Sequence, residues 1–193
     1  MKKFFLLISM MLMGVTIGTA QIRLFPDVPN MKGKWITGGN LGLGMAGRTL
    51  YFSIAPQLGY RVTNAWEVGV RAIYDLDCNF DRYNGNTTLH HFGLAGYTSL
   101  QVYKGFFIHA EDEMMYRIAR FNHQTVDAEK WFNSIFVGAG YRSYYSSNTY
   151  AYIMVLYNLS WGVIPETSNV WDTPYSNPIS FRVGYCFGFP NKK

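Results

Sequence analysis

The sequence predicts an all-β protein, an eight-stranded antiparallel up-and-down transmembrane β-barrel, and three observations carry that reading. The first is residues 179 to 189. Every odd position there (Ile179, Phe181, Val183, Tyr185, Phe187, Phe189) is large and apolar, and every even position (Ser180, Arg182, Gly184, Cys186, Gly188) is small or polar. A strand turns successive side chains to opposite faces, so one face is greasy and the other holds glycines and a charge. Glycines on the buried face of a soluble sheet leave voids, whereas a membrane barrel sets its greasy face against lipid and its small or polar face into a crowded interior. The second observation is that this alternation returns eight times. The third is composition: aromatics make up 18% of the chain and charged residues 15%, which suits a barrel girdled by aromatic side chains. The competing fold, a soluble exported calycin-like barrel, needs an apolar interior and a polar exterior, the reverse of strands two, three and eight.

The elements follow in order. Lys2 and Lys3 precede an apolar core from Phe4 to Met13, and Gly18-Thr19-Ala20 supplies small residues before Gln21. This is the layout of a cleaved signal peptide over residues 1–20, with a core too short for the roughly 20 apolar residues of a spanning helix. No cysteine follows the cleavage site, which argues against a lipid anchor. Residues 21–34 read as a periplasmic N-terminal segment, 35–189 as the barrel and 190–193 as a C-terminal tail.

Strand one is expected at 35 to 45, with Leu41 and Leu43 outward and Asn40, Gly42 and Gly44 inward. Strand two, 50 to 62, faces Phe52, Ile54, Leu58, Tyr60 and Val62 outward, and strand three, 66 to 76, does the same with Trp66, Val68, Val70 and Tyr74. Strand four is 89 to 102, five 106 to 118, six 132 to 145, seven 149 to 160 and eight 178 to 189. Three short turns keep the parity: Thr63-Asn64-Ala65 pairs Arg61 with Glu67, Tyr103-Lys104-Gly105 pairs Val102 with Phe106, and Ser146-Ser147-Asn148 pairs Tyr145 with Thr149. Three-residue hairpins favour a left-handed residue near their end, which points to Gly105 and Asn148. The other connections are a short link at 46 to 49 and long loops at 77 to 88, 119 to 131 and 161 to 177. Short and long connections alternate, as at the periplasmic and extracellular ends of such barrels.

Leu58-Gly59-Tyr60-Arg61-Val62-Thr63, Val137-Gly138-Ala139-Gly140-Tyr141-Arg142 and Phe181 to Phe189 give the chain its resemblance to the small OmpA/OmpX-like eight-stranded outer-membrane barrels of Gram-negative bacteria. The resemblance spans roughly residues 35 to 189 and implies a location in the cell outer membrane, in contact with its lipid and lipopolysaccharide. Two departures stand out. Phe189 is followed by Pro190-Asn191-Lys192-Lys193, whereas this family usually ends on an aromatic, and the peptidoglycan-binding domain of its larger members has no counterpart, so no cell-wall tether is implied.

The expected lumen carries Arg61, Arg71, Arg117, Arg142 and Arg182 against Glu67, Asp75, Glu111 and Glu113. Eight strands leave a barrel just wide enough for its side chains, so these groups must pair or hold water. The ordinary reading is a salt-bridged plug; the sharper one is a narrow ion path gated near mid-depth by Arg71, Glu111, Glu113 and Arg182. Resemblance to lipid A-modifying barrels raises a catalytic alternative, for which Ser99, His109 and Glu111 form the best constellation, a base beside a hydroxyl and near a carboxylate. Ordinary hydrogen bonding inside a filled barrel is much the stronger reading of those three residues, and the expectation is no enzyme and no catalytic residue.

No metal or cofactor is expected. His90 and His91 are adjacent on a strand and point to opposite faces, and the glycines of 38 to 44 lack the strand-then-helix setting of a phosphate loop. Seventeen Lys+Arg against twelve Asp+Glu is a mild excess spread along the strands, with no nucleic-acid footprint. Cys78 and Cys186 fall near opposite ends and should be free thiols. Asp112 lands on the lipid face, which a bulge, a subunit contact or a shifted register would each account for. The expected role is structural or interactive: a monomer that binds an extracellular protein or surface ligand through its loops, with Tyr83, His123, Trp171 and Tyr175 as candidate contacts.

Overall fold

The computed structural model describes residues 29–46, 49–81, 85–121, 124–161, 175 and 177–189. Eight strands follow one another: β1 (Trp35–Ala46), β2 (Thr49–Arg61), β3 (Trp66–Asp81), β4 (Gly85–Tyr103), β5 (Phe106–Phe121), β6 (Gln124–Tyr144), β7 (Thr149–Asn158) and β8 (Ile179–Gly188). Each pairs antiparallel with the next, and β8 returns to β1 to close the barrel. The expected signal peptide and C-terminal tail lie outside the described residues.

The alternation sets the faces as expected on β1, β2, β3 and β8. Leu58, Val70, Leu94, Ile108, Phe181 and Val183 are exposed on the outside, while Arg61, Glu67, Arg71, Glu111 and Arg142 are buried inside. β7 is different, because both of its faces are apolar. Tyr150, Tyr152, Met154 and Leu156 point inward and join Ile36, Phe107, Phe136 and Cys186 in an apolar sector of the lumen. The interior is therefore divided into a greasy flank on the β6, β7, β8 and β1 side and a charged flank carried mainly by β2 to β5.

The hairpins β3–β4 and β5–β6 extend well beyond the expected strand ends. Pairing runs up to Asp81↔Gly85 and Phe121↔Gln124, so most of the expected loops at 77–88 and 119–131 is ladder. Their sequences, from Asp77 to Asp81 and from Gln124 to Lys130, are rich in polar residues and do not alternate sharply. β4 and β6 reach 19 and 21 residues against 10 each for β7 and β8, so one wall of the barrel stands taller than the other.

At the opposite end, Arg61 pairs with Glu67 as expected, and the amide of Tyr145 donates to the Thr149 carbonyl at 2.9 Å. The middle turn differs. Tyr103, not Val102, faces Phe106, because a bulge between Gln101 and Tyr103 takes up one residue. Lys104, with φ of 45°, is the left-handed residue there instead of Gly105, and Asn148 is not left-handed. The bulge preserves the faces, since Gln101 and Phe107 meet inside.

The segment before β1 closes this short-turn end. Met31 is fully buried in the apolar sector, the Gly33 amide donates to the Arg61 carbonyl at 2.7 Å, and Lys34 Nζ donates to Asn148 Oδ1 at 2.6 Å. Aromatic pairs ring both ends outside: Trp35 with Tyr60 and Phe106 with Tyr141 near the short turns, Tyr74 with Phe92 and Tyr116 with Trp131 near the long hairpins. Cys78 and Cys186 are free.

Candidate functional site

The lumen holds two polar clusters at different depths. Nearer the short turns, Glu67 on β3 is the hub. It accepts hydrogen bonds from Tyr97 OH at 3.0 Å and Tyr150 OH at 3.1 Å and forms ion pairs with Arg61, whose Nε lies 3.0 Å away, and Arg142, whose Nη2 lies 3.1 Å away. Two phenol donors and two guanidinium charges thus surround the carboxylate. Arg61 also reaches the Asn64 carbonyl and Tyr144 OH, and Arg142 Nη2 donates to Ser99 Oγ at 2.8 Å. The Arg142 guanidinium lies over the Phe107 ring at 4.4 Å, so the charged and greasy flanks meet through an aromatic face. Gly59 and Gly69 are register partners in this layer, and the Tyr97 ring occupies the space their side chains would fill.

Towards the long hairpins, Glu111 on β5 takes over as hub. Arg71 and Arg182 both form ion pairs with it, and His109 Nε2 lies 3.1 Å from its Oε2. Arg182 also reaches Glu113 at 3.4 Å and lies over the Phe136 ring. Glu113 accepts from Tyr175 OH. The four residues expected near mid-depth, Arg71, Glu111, Glu113 and Arg182, are thus one connected group, backed on the greasy flank by Phe136. Arg117 lies over Phe132 at 4.8 Å, and Asp75 sits two rows above Arg71 on the same face of β3, past Ile73.

Beyond this second cluster the lumen opens. A cavity of about 440 Å³ lies among Arg71, Asp75, Asp77, His91, Glu113 and Arg182 and reaches the outside between β1 and β8. Around the Glu67 cluster the free space is about 10 Å³, too small for anything but a single water.

Several expected residues fall differently from their sequence reading. Tyr175, expected among the exposed loop contacts, turns into the barrel mouth, where its hydroxyl meets Glu113 and its ring stands edge-on to Phe136 at 5.1 Å. A buried carboxylate at the end of the lumen offers it a better partner than solvent does. Tyr83, His123 and Trp171 lie outside the described residues. Ser99, His109 and Glu111 share a face, but only the His109–Glu111 contact forms; Ser99 Oγ is taken by Arg142, and no hydrogen bond joins Ser99 to His109 among the described residues. His90 and His91 do face opposite ways: His90 Nδ1 meets Tyr74 OH outside at 3.0 Å, and His91 is buried inside. Asp112 is in regular register with Gly96 and Ile135, so neither a bulge nor a slip explains it. It stays on the outer face and accepts from Asn133 Nδ2 at 2.8 Å.

Tyr97, Tyr150 and Gln101 were not legible as parts of the lumen clusters. Tyr150 sits in a strand whose two faces look alike, and Tyr97 and Gln101 required the face assignment of β4 to be followed along its whole length.

No protein-family model matches the chain, and no curated protein does. Among solved structures it is similar to the N-terminal β-barrel domain of Pseudomonas aeruginosa OprF, with 11% sequence identity and a TM-score of 0.43 over 82% of this chain and 98% of that one.

Proposed function

We propose that the protein is an integral outer-membrane β-barrel with a structural or surface-interaction role, exported by residues 1–20 and binding a partner through its long-hairpin end. The observation that carries this reading is the inversion of the faces. Leu58, Val70, Leu94, Ile108, Phe181 and Val183 lie exposed on the outer wall while five arginines and four acids lie inside. A soluble barrel with that arrangement would expose its greasy surface to water and bury its charges at a cost of several kcal/mol per ion. A bilayer reverses the sign of the first term, and the aromatic pairs at both ends are placed as interfacial girdles.

The extended hairpins β3–β4 and β5–β6 are the natural contact surface. The segments that join β3 to β4 and β5 to β6 in the sequence include Tyr83 and His123. A monomer in lipid and lipopolysaccharide, meeting an extracellular protein or surface ligand there, accounts for the tall wall. The tightly packed Glu67 cluster, with about 10 Å³ of free space around it, speaks for a plugged lumen over an ion path.

Gel migration of the protein from an isolated outer-membrane fraction, boiled against unboiled, tests the reading. A heat-dependent shift in that fraction is expected. A soluble periplasmic protein without a shift would sink it. Shortening the β3–β4 hairpin at 82–84 should then remove surface binding while the shift persists.

A further inference from the structure

The barrel wall is incomplete at one place. β8 pairs with β1 from Ile36↔Gly188 to Asn40↔Gly184 and no further. Both strands continue, β1 up to Ala46 along β2 and β8 from Ile179 along β7. Extending the register would set Leu41 opposite Val183 and Leu43 opposite Phe181; among the described residues these positions do not pair. Their side chains are 73%, 61%, 79% and 73% exposed, among the most exposed apolar groups of the barrel. The strands part just past Asn40; its neighbour Gly39 has a φ of 150° that suits glycine, and a Cβ there would collide with the Ala55 carbonyl of β2.

Behind this slit lies the 440 Å³ cavity, whose walls include the slit edges themselves. Three buried polar atoms belong to residues on its inner wall and have no partner among the described residues: Asn40 Oδ1, Asp75 Oδ1 and His91 Nε2. His91 is 2% exposed. The first two atoms are acceptors, and the third is one in the tautomer whose Nδ1 proton faces Asp77, 4.0 Å away. The two arginines that reach the cavity are already held by Glu111, and Arg182 by Glu113 as well. Arg71 Nε and Nη2 also lack a hydrogen bond, but Arg71 lies deeper, against Glu111. Asp75 and Asp77, nearer the mouth, form no ion pair with an arginine among the described residues, so this upper part of the wall has carboxylates without a charged donor. A primary ammonium offers three N–H donors and no acceptor.

We propose that the slit is a lateral port and that the cavity receives the head of a primary-ammonium amphiphile, whose chain rests on Leu41, Leu43, Phe181 and Val183. The chain stays on the greasy outer face while the head passes between the strand edges to Asp75, Asn40 and His91. The inference rests on the membrane reading for the origin of the amphiphile, the surrounding bilayer.

The test is a titration of the full chain, folded in neutral maltoside micelles, with dodecylamine, followed by NMR shifts. Saturable shifts centred on Asn40, Asp75, His91 and residues 41–43 are expected. Dodecyltrimethylammonium, which has no N–H, should bind at least about tenfold more weakly, and dodecyl sulfate should give no saturable change. Asp75→Asn should weaken dodecylamine by about tenfold or more. Gly42→Phe should abolish it by filling the mouth, since a Cβ at Gly42 meets only Ser53 Cβ at 3.4 Å and the barrel can accept it. Both variants should keep the heat-dependent gel shift; if Asp75→Asn does not fold, Gly42→Phe and the head-group series decide. Equal shifts with dodecyl sulfate, or binding unchanged in Gly42→Phe, would overturn the port. A protein found in the membrane fraction but showing no saturable shifts overturns the port alone. A soluble protein overturns the membrane reading and, with it, lateral entry.

Discussion

The two clusters inside the barrel use the same chemistry and end differently. At the short-turn end Glu67 is surrounded by two guanidinium groups and two phenols, with almost no free space. At the long-hairpin end Glu111 is also held by two arginines, but the layer above it carries Asp75, Asp77 and His91 around an open cavity. Met31 and the segment before β1 cover the first end, while the β1–β8 seam stops short of the second. One end is built to be closed and dry, the other to be reached. What differs is less the charged residues than what surrounds them: rings and a covering segment below, an unfinished wall above.

Breaking the closed end should cost most. Glu67→Ala leaves Arg61 and Arg142 buried without their shared carboxylate, and a loss of about 3–5 kcal/mol is expected. Urea unfolding in micelles, read by the gel-shifted fraction, would check it. A loss under about 1 kcal/mol would mean that water or the phenols compensate and that the end is not dry. Glu111→Gln removes the charge that holds Arg71 and Arg182, but the open cavity can hydrate them. The expected loss is about 1.5–3 kcal/mol by the same measurement, and a cost equal to that of Glu67→Ala would erase the contrast between the ends. Tyr175→Phe gives up one hydrogen bond at the cavity rim, leaving the ring on Phe136. It should cost about 0.5–1.5 kcal/mol while enlarging access to Glu113, measurable as faster hydrogen exchange at the 113–115 amides.

The sequence carried the barrel and the inward charges because β1, β2, β3 and β8 alternate sharply between greasy and small or polar. It did not carry the height of the β3–β4 and β5–β6 hairpins, since Asp77 to Asp81 and Gly85 to Thr88 pair without a sharp apolar alternation in sequence. Val102 could not be seen as a bulge from composition, because shifting one residue there leaves the inward pair Gln101–Phe107 intact. The roles of Tyr150 and Tyr175 depended on which carboxylate each meets across the lumen, a fact of three-dimensional closure. The short β1–β8 ladder was least legible of all, because its two strands lie at opposite ends of the barrel sequence.

That ladder has a bearing on how the ring comes together. Seven of the eight ladders are hairpins between neighbours in the chain, each able to form from a short stretch of backbone. The eighth joins segments separated by the whole barrel, through five residue pairs, and closing so long a loop is the slowest kind of contact to make. The seam is thus a clasp fastened after the band is woven. A circularly permuted chain, cut between Lys104 and Gly105 and rejoined across the original ends, would turn the clasp into a hairpin and make β4–β5 the last ladder to fasten.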